Sequence, residues 1–497
     1  MKNLPSLITQ KFTSLLDKIN DRFTSYRLVL YFLLALVGWS VLGSFFHQTP
    51  YNWHEILVSA VWLVGICWLA NKSIARFLDI PANKESDLIT GLILTLILSP
   101  PQTSTDFAVL AAAAIAAMAT KYIITLNKSH LFNPAAAGAF IAGEVFHKYP
   151  SWWVGTKFIT PLVVIGGLLI LRKMKRFTMV GVFLAVFILY MIYGTSSGGN
   201  IHVLWLELIS TQALFFAIVM LTEPMTSPTS LTMCLPYAAL VGVLYSATKL
   251  KLSPEEALLL GNLFTFAVAR NKRYKLKFIG KVKEAEGIFS YAFSMPKGFK
   301  FKPGQYMEWT VAHNQTDSRG NRRYLTIASS PTEPGLMFTV KHPNPSSAFK
   351  QRLDELKPGG TILASHLAGS FTLPKDTTQK IALLAGGIGV TPFRSMVKYL
   401  VDSGQQRDTA LLYSANSPAE ISFQKLFDKA AVAGVRASYI TQGHLDEVKI
   451  QNLLPDYTER KFYVSGPYGF VNAIESALLK LGVNASNIVT DYFPGYG

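Results

Sequence analysis

The pattern of apolar positions divides this chain into two parts. Residues 27–270 contain one long apolar run after another, whereas residues 271–497 mix apolar and polar positions as soluble domains do. A helix needs about 20 mostly apolar residues to cross a bilayer, and a shorter helix is tolerated where it lines a protein cavity. The first part is therefore predicted to be a polytopic α-helical membrane domain. Its ten candidate spans are 27–47, 53–71, 87–99, 106–124, 134–146, 158–171, 177–194, 204–222, 231–248 and 255–270.

The second part contains two different patterns. Short β-rich runs bounded by glycine and proline fill residues 277–375, and their even spacing is typical of a small antiparallel β-barrel. From residue 376 to residue 497, strand-like runs alternate with helical ones, which indicates an open α/β sheet with parallel strands. The sequence thus predicts four segments, which are an N-terminal segment at 1–26, the transmembrane domain at 27–270, the barrel at 277–375 and the α/β domain at 376–497.

The charge pattern predicts the orientation of the membrane part. The chain has 47 Lys and Arg against 30 Asp and Glu, a formal net charge of +17. Most basic residues of the first part precede the first span or follow the second, fourth, sixth and tenth, and short cytoplasmic loops carry such an excess. Both termini and the soluble part are therefore predicted to be cytoplasmic, on the inner membrane of a prokaryote. Because the basic residues form no single stripe, nucleic acid is not a predicted partner.

Cysteine and histidine usage excludes several redox centres. Cys67 and Cys234 are the only cysteines, too few for a four-thiolate iron–sulfur cluster or zinc site, and no metal site is predicted. A transmembrane haem needs histidines that face each other from neighbouring helices. The histidines at 47, 54, 130, 147 and 202 fall in predicted loops or at helix ends, which disfavours a haem.

Three motifs in the membrane part carry a resemblance. Gly91–Pro101 is an apolar run ending in Ser-Pro-Pro, Phe132–Ala136 reads Phe-Asn-Pro-Ala-Ala, and Met220–Pro228 contains Thr-Glu-Pro-Met-Thr-Ser-Pro. In this order they resemble the RnfD/NqrB family, the membrane components of the Rnf and Nqr electron-transfer complexes. The resemblance implies a flavin held within the membrane and electron transfer into or across it, in some members coupled to sodium movement. The positions it points to are Asn133, Thr222, Glu223 and Thr226.

The same motifs bear on symmetry and on the bound group. The proline-containing ends of the third and eighth predicted spans occupy matching places, which suggests a five-plus-five inverted repeat. Many members of the family carry a Ser-Gly-Ala-Thr run whose threonine is esterified to FMN. This chain has Thr-Ser-Ser-Gly-Gly at 195–199 instead, so we expect non-covalent FMN or riboflavin, or a quinone. Glu223 is the sharpest candidate, because an ionisable group near membrane depth usually has a functional partner.

A further motif opens the soluble part. The run Arg322–Pro331 reads Arg-Arg-Tyr-Leu-Thr-Ile-Ala-Ser-Ser-Pro, and Pro-Gly-Gln precedes it at 303–305. It resembles the flavin strand of the ferredoxin–NADP reductase family, which implies that Arg323 grips the FAD pyrophosphate and that Thr326 contacts flavin N5. The usual stacking tyrosine falls on Leu325. The implied FAD-binding residues are Gly304, Gln305, Arg323, Tyr324, Leu325, Thr326, Gly369, Ser370 and Phe371.

Two later motifs predict a nicotinamide site. A glycine-rich turn follows a predicted strand and opens a helix, the context in which backbone N–H groups and the helix dipole hold a pyrophosphate. Tyr-Val-Ser-Gly-Pro at 463–467 resembles the family's nicotinamide motif with serine in place of cysteine, and the C-terminal run from Thr490 resembles its acidic–x–aromatic ending. The nucleotide-binding residues are Gly386, Gly387, Gly389, Thr391, Pro392, Gly466 and Pro467, and the catalytic set is Thr326, Ser465, Asp491 and Phe493.

Together these patterns predict hydride transfer from NADH or NADPH to FAD, followed by electron transfer to a flavin or quinone in the membrane. No basic residue lies within Ser414–Ser417, where a 2′-phosphate would bind, and this favours NADH. Because no cysteine cluster can act as a relay, the flavin domain is expected to dock on the membrane domain. Two alternatives stay open, a redox-driven sodium or proton pump and a transporter with a redox-sensing reductase domain. Lipid is a predicted partner, and homo-oligomerisation and partner subunits stay open.

Overall fold

The computed structural model describes residues 23–78, 84–126, 129–194, 208, 212–228, 231–247, 250–269, 273–311, 321–342 and 346–493. All structural statements below refer to these residues. The chain divides into two compact units, Met1–Lys272 and Arg273–Gly497, called the first and the second unit here. The predicted segment 1–26 lies outside the described residues apart from its last four positions, and so do residues 195–199 and the tail after Phe493.

The first unit is helical. A two-stranded hairpin, β1 (Thr125–Leu126) and β2 (Ser129–His130), separates its fourth and fifth helices, and a short helix at Ala213–Phe215 continues into a π-helix at Phe216–Met220. The other helices are α1 (Ser25–Phe45), α2 (Trp53–Phe77), α3 (Lys84–Ile97), α4 (Ser104–Ile123), α5 (Pro134–Phe146), α6 (Thr160–Met174), α7 (Phe177–Gly194), α8 (Leu231–Ser246) and α9 (Pro254–Ala269).

Three of these helices are long and apolar enough to cross a bilayer, judged by length and composition. They are α1, α2 and α4, with 21, 25 and 20 residues. The other helices lie where the sequence predicts further spans, but they are shorter or less apolar. Of the predicted span 204–222, the described part forms only the short helix and the π-helix. Three candidate spans are therefore established, and the ten-span membrane domain stays a prediction.

Helix α3 ends inside the first unit. Its last turn is buried, and the loop between α5 and α6 supplies donors for its free carbonyl groups. The backbone N–H of Trp152 donates to Ile97 O at 2.9 Å and that of Val154 to Leu96 O at 3.2 Å, while the Trp153 indole donates to Leu98 O at 3.1 Å. A helix end away from water needs such partners, because an unpaired carbonyl there is unfavourable.

The second unit begins with a six-stranded antiparallel sheet. Its order is β6-β5-β8-β3-β4-β7. The N–H of Ala328, just after β6, donates to Met337 O of β7 at 2.7 Å, which brings the two edge strands together at one end. Trp309, Phe293 and Phe338 pack in its interior. The strands are β3 (Tyr274–Ala285), β4 (Ile288–Ser294), β5 (Tyr306–Thr310), β6 (Arg322–Thr326), β7 (Gly335–Lys341) and β8 (Thr361–Ala368), and the helix α10 (Ala348–Asp354) lies between the last two.

A five-stranded parallel sheet follows, in the order β11-β10-β9-β12-β13. Residues Ile381–Ala385 of its central strand are fully buried, as expected for a strand covered on both faces. The strands that follow β9 in the chain are added first on one side of it, as β10 and β11, and then on the other side, as β12 and β13. At such a switch point the carboxyl ends of the two neighbouring strands, β9 and β12, flank a crevice. The strands are β9 (Ile381–Gly386), β10 (Thr409–Ser414), β11 (Val435–Ile440), β12 (Lys461–Pro467) and β13 (Ile488–Phe493), and the helices are α11 (Thr391–Ser403), α12 (Gln424–Lys429), α13 (Glu447–Leu453) and α14 (Tyr468–Lys480).

Candidate functional site

The predicted flavin strand β6 is an edge strand paired with β5. The register sets Tyr306 opposite Thr326, Glu308 opposite Tyr324 and Trp309 opposite Arg323. Since successive side chains of a strand point to opposite faces, Tyr324 and Thr326 share one face, and Arg323 and Leu325 share the other. The strand therefore offers different groups on its two sides, and the structure assigns Leu325 to the side of the barrel core.

Arg323 and Thr326 are both buried but differently held. The Arg323 guanidinium donates to the carbonyl of Arg322 at 2.7 Å and lies over the Phe349 ring of α10, 5.0 Å from its centroid. The Thr326 hydroxyl is buried and has no hydrogen-bond partner among the described residues. A buried hydroxyl without a partner is unfavourable by about 1–3 kcal/mol. Thr326 therefore fits the role of a ligand contact, and a flavin is the ligand that the strand motif implies.

The turn before β5 is held close to the loop after β8. Gly304 has φ +91°, and a Cβ there would lie 2.0 Å from the carbonyl oxygen of Phe371. The Gln305 amide donates to Gly369 O at 3.4 Å, and Ser370 is exposed. The Phe371 ring is buried against Phe393 and Tyr463. Of the predicted phosphate loop, Gly369 and Ser370 thus stay at the surface, whereas the side chain of Phe371 belongs to the core.

The glycine-rich turn has two kinds of glycine. A Cβ on Gly389 would lie 2.3 Å from the carbonyl oxygen of Ser465, so this glycine lets the turn pack against β12. Gly387 has φ +52° and open space where its Cβ would be. Thr391 then begins α11, with Pro392 in its first turn. Of these glycines, Gly387 has open space for a phosphate group, whereas Gly386 packs against the Phe470 ring of α14 and Gly389 against the end of β12.

Ser465 lies at the switch point of the parallel sheet. It is fully buried between Ala385 of β9 and Asp491 of β13, and its hydroxyl has no described partner. Gly466 follows it next to the Gly386 carbonyl, and Pro467 pairs with Phe493, the last described residue, whose side chain lies outside the described part. The turn, the Ser465 motif and Asp491 therefore meet at the crevice where open α/β sheets bind nucleotides.

Helix α11 joins the two sheets next to both motifs. Arg394 pairs with Glu333, and its guanidinium donates to Ala328 O at 3.1 Å. The Ser395 hydroxyl donates to Ser329 O at 2.6 Å. Ala328 and Ser329 directly follow the flavin strand, so the structure brings the Thr326 region and the glycine-rich turn to one region. The sequence analysis did not single out Arg394 and Glu333. It included Ser329 only as part of the motif at Arg322–Pro331.

A second missed group lies beside Tyr324. Glu308 is 1% exposed; Arg322 Nη1 lies 3.4 Å from its carboxylate, and Tyr324 hydrogen-bonds to it. Burial alone raises the pKa of Glu308, but the charges of Arg322 and His366 outweigh it and hold the pKa below the usual value. Glu308 is therefore an ionised carboxylate at neutral pH and helps to fix the side of β6 that carries Thr326.

The first unit contains a buried polar cluster, defined as His130, Asn133, Glu223, Thr226 and Asn262. The N–H of Asn133 donates to Asn262 Oδ1 at 2.9 Å, and the Asn262 amide donates to Thr226 O at 3.2 Å. The Thr226 hydroxyl donates to one Glu223 oxygen at 2.9 Å, and His130 Nε2 lies 3.6 Å from the other. Thr222, the remaining predicted residue, donates instead to the carbonyl of Ile218 in the π-helix.

The structure thus joins three of the four predicted membrane positions and adds two residues. Asn262 was missed, although a single asparagine in the apolar run of α9 is a signal that could have marked it. His130 was considered only as a haem ligand and assigned to a loop, and it lies in β2. Within the described residues, no group of three or more His, Cys, Asp or Glu side chains could hold a metal ion.

Comparison with known proteins bears on the second unit. Residues 383–476 match the model of the oxidoreductase NAD-binding domain. The stachydrine N-demethylase reductase subunit Stc4 of Rhizobium meliloti (strain 1021) is 27% identical over 241 residues, 44% of this chain and 67% of that protein. The glycine betaine monooxygenase reductase subunit of Chromohalobacter salexigens is 24% identical over 45% of this chain and 65% of its own length. The chain thus spans about two thirds of the length of these curated relatives.

A solved structure matches the same region. The flavohem-like FAD/NAD-binding domain of nitric oxide dioxygenase from Vibrio cholerae O1 biovar El Tor is 21% identical, with a TM-score of 0.39, over 44% of this chain and 98% of that one. The family match, the two relatives and the geometry of the crevice all concern the second unit. The C-terminal region of this chain is a ferredoxin–NADP reductase-like FAD/NAD-binding reductase domain, and the protein is an NAD(P)H-dependent oxidoreductase.

Proposed function

We propose that this protein is a membrane-bound NAD(P)H-oxidising flavoprotein that delivers electrons to a flavin or quinone held in its first unit. The observation that carries the proposal is the polar cluster, which three separate chain segments build inside an apolar helical unit of a reductase chain. Polar and ionisable groups inside a transmembrane domain are rare and usually functional. The resemblance to the RnfD/NqrB family supports the same conclusion.

Residues of the second unit would bind the cofactors in distinct ways. Arg323 and the surface loop at Gly369 would hold the FAD phosphates, and Thr326 would donate its hydroxyl to the flavin ring. Gly387 would admit the nucleotide phosphates, and Ser465 would place a hydroxyl beside the nicotinamide, with Asp491 in the neighbouring strand. When bound, FAD accepts a hydride from the nicotinamide and releases its electrons singly, which is chemistry that the cofactor itself supplies.

The membrane arrangement is part of the proposal. The three long apolar helices would span the bilayer together with the shorter ones, whose ends are satisfied inside the protein as at α3. The basic residues at Arg172–Arg176 and the other positive loops would lie in the cytoplasm, with the termini and the reductase domain. The membrane would be the inner membrane of a prokaryote. The occupant of the first unit would be non-covalent FMN or riboflavin, or a quinone.

Anaerobic titration tests this function. We expect purified protein in detergent, titrated with NADH or NADPH, to lose the absorbance of more than one flavin equivalent or to reduce its quinone. Flavin and quinone are then extracted and quantified. Bleaching of a single FAD without quinone turnover would contradict the proposal. In that case a separate protein acceptor, as in the oxygenase reductase subunits among the relatives, becomes the better explanation.

A second candidate is a redox-driven sodium or proton pump. The pairing of Glu223 with His130 inside the apolar unit favours it, because such pairs can carry a charge across a barrier. Sealed vesicles containing the protein decide between the two functions. A pump generates a membrane potential during NADH oxidation, and its turnover accelerates when an ionophore collapses that potential. A transporter with a redox-sensing domain, the third alternative, would bind nucleotide without turnover.

A further inference from the structure

Glu223 and His130 form an acid–base pair in the first unit. His130 Nε2 lies 3.6 Å from Glu223 Oε1, and the side chains are 7% and 24% exposed. The second carboxylate oxygen accepts a hydrogen bond from Thr226 at 2.9 Å. An imidazole next to a carboxylate can hold or release one proton between about pH 5 and pH 8.

Both members of the pair are fixed by the fold. His130 is paired with Thr125 in the β1–β2 hairpin, and Asn133, three residues later, caps α5 and donates to Asn262. Glu223 lies three residues after the end of the π-helix, and its carbonyl oxygen accepts from the Ser227 hydroxyl at 2.7 Å. π-Helical turns are frequent at functional sites, since they displace the residues that follow them. The pair is therefore a preorganised feature rather than a chance surface contact.

Other charged and titratable groups near the pair have partners of their own. Arg176, between α6 and α7, donates to Pro228 O at 2.6 Å and contacts the Cys234 sulfur of α8. Tyr237 of α8 is fully buried and donates to Leu221 O at 3.4 Å. At the end of α4, Lys121 donates to Ser86 and Tyr122 to Asn71. The carboxylate of Glu223 thus contacts Thr226 and His130, on the side that faces the hairpin.

We propose that His130 and Glu223 deliver the proton that a two-electron acceptor of the quinone or flavin class takes up in the first unit. This inference rests on the proposed function. Oxidation of NAD(P)H supplies two electrons and one proton, whereas reduction of a quinone to its hydroquinone consumes two electrons and two protons. One further proton must therefore come from water. The His130 imidazolium would release this proton to the reduced acceptor, at a quinone oxygen or a flavin ring nitrogen, and would regain it from water, while Glu223 balances its charge.

Activity with two acceptors tests the pair. Ferricyanide takes electrons from the reductase domain, and decylubiquinone probes the first unit. We expect His130→Gln to keep ferricyanide reduction and to lower decylubiquinone reduction about 100-fold, the usual contribution of a positioned acid. The pH dependence of decylubiquinone reduction between about pH 5 and pH 8 should disappear as well. In Glu223→Gln the pH at which decylubiquinone reduction declines should be lower, because the His130 imidazolium no longer has the negative charge of Glu223 beside it.

Glu85→Gln is the matched control, because it removes another carboxylate of the same unit, one that pairs with Arg27 at 2.8 Å. It should leave both activities and the pH profile unchanged.

Two readouts do not depend on turnover rate. Quenching of tryptophan fluorescence by decylubiquinone should be equal in wild type and His130→Gln, and a pH indicator in weak buffer should record one proton taken from solution per quinone reduced by the wild type.

The possible failures are distinguishable. A wild type that reduces ferricyanide but neither decylubiquinone nor a second flavin overturns the proposed function. A wild type that reduces decylubiquinone, with His130→Gln retaining the rate and the pH profile, overturns only the proton role. If His130→Gln does not purify in folded form, Glu223→Gln is used instead, because its side chain has the same size and similar hydrogen-bonding atoms. An unchanged pH dependence of decylubiquinone reduction in Glu223→Gln then overturns the proton role.

Discussion

In the reductase domain the hydroxyls of Thr326 and Ser465 are buried without a described partner, whereas in the first unit the hydroxyl of Thr226 and the amide of Asn262 are bonded to neighbours. These two candidate sites thus hold their buried hydroxyl and amide groups differently. In a soluble domain, water or a ligand can satisfy a hydroxyl at an open crevice. Inside an apolar helical unit the protein itself has to supply the partner. An unpartnered hydroxyl therefore marks a candidate ligand contact at the reductase crevice, whereas a hydrogen-bonded polar cluster marks the candidate site in the first unit.

The largest expected effect comes from breaking the crevice itself. Gly389→Ala would bring a Cβ to 2.3 Å from the Ser465 carbonyl oxygen, and overpacking of this kind is unfavourable by about 3 kcal/mol. We expect loss of nucleotide-dependent ferricyanide reduction and a lower melting temperature of the reductase domain by calorimetry. Gly469→Ala is the control, because a Cβ there meets nothing within 4 Å. Equal ferricyanide reduction and equal melting temperatures in the two variants would contradict the close approach of the turn to β12.

A matched pair of variants tests the comparison directly. Thr226→Val should destabilise the first unit by about 1 kcal/mol, because it removes the hydroxyl that donates to the partly exposed Glu223 carboxylate. Tryptophan fluorescence reports this, since seven of the eight tryptophans precede residue 273. Thr326→Ala should instead leave flavin-free protein as stable as wild type or slightly more so, while flavin retention falls about tenfold and Thr326→Ser restores it. Destabilisation of flavin-free Thr326→Ala would show that the hydroxyl has a partner within the protein.

Nucleotide preference sharpens the role of the crevice. At the carboxyl end of β10 no basic residue lies within Ser414–Ser417, and the nearby Lys341 is already paired with Glu420 at 2.7 Å, while Asn416 donates to the same carboxylate at 3.2 Å. We expect NADH to exceed NADPH in kcat/KM by about tenfold. Asn416→Arg should narrow that ratio by improving NADPH alone. A wild type that prefers NADPH would contradict the assignment of Ser414–Ser417 as the segment beside the 2′ position of the nucleotide.

The smallest expected effect concerns acid stability of the reductase domain. The pKa of Glu308 is lowered by Arg322 and His366 against the effect of burial. Its contribution to stability is therefore fully present above the ordinary glutamate pKa of about 4.3 and is lost as the pH falls through the lowered value. The melting temperature of the reductase domain should decline in that window. Glu308→Gln should flatten the decline, and an unchanged slope in this variant would assign the acid sensitivity to other carboxylates.

Much of the architecture was predictable from local patterns. The long apolar runs marked the helices of the first unit, and the motifs around Arg323, Gly386 and Ser465 marked the reductase crevice. For Phe371, the resemblance to a phosphate loop did not show that its ring packs in the core, and its contact with a phosphate stays a prediction. Arg394 could not be found, since nothing local distinguishes a polar residue that meets a distant partner from one that faces solvent. The lone asparagine in the apolar run of α9 could have marked Asn262, but not the partners that it meets.

The sequence by itself determined the division into an apolar part and a part that mixes apolar and polar positions, the reductase motifs, and most of the candidate residues at both sites. Hydrophobic periodicity and short motifs act over a few turns or strands, so they can be read locally. Only the tertiary structure decided that Asn133 meets Asn262, 129 residues away, and that His130 becomes the partner of Glu223. Such pairings depend on how helices pack and where they end, because a contact between distant segments forms only when the whole unit positions both of its members.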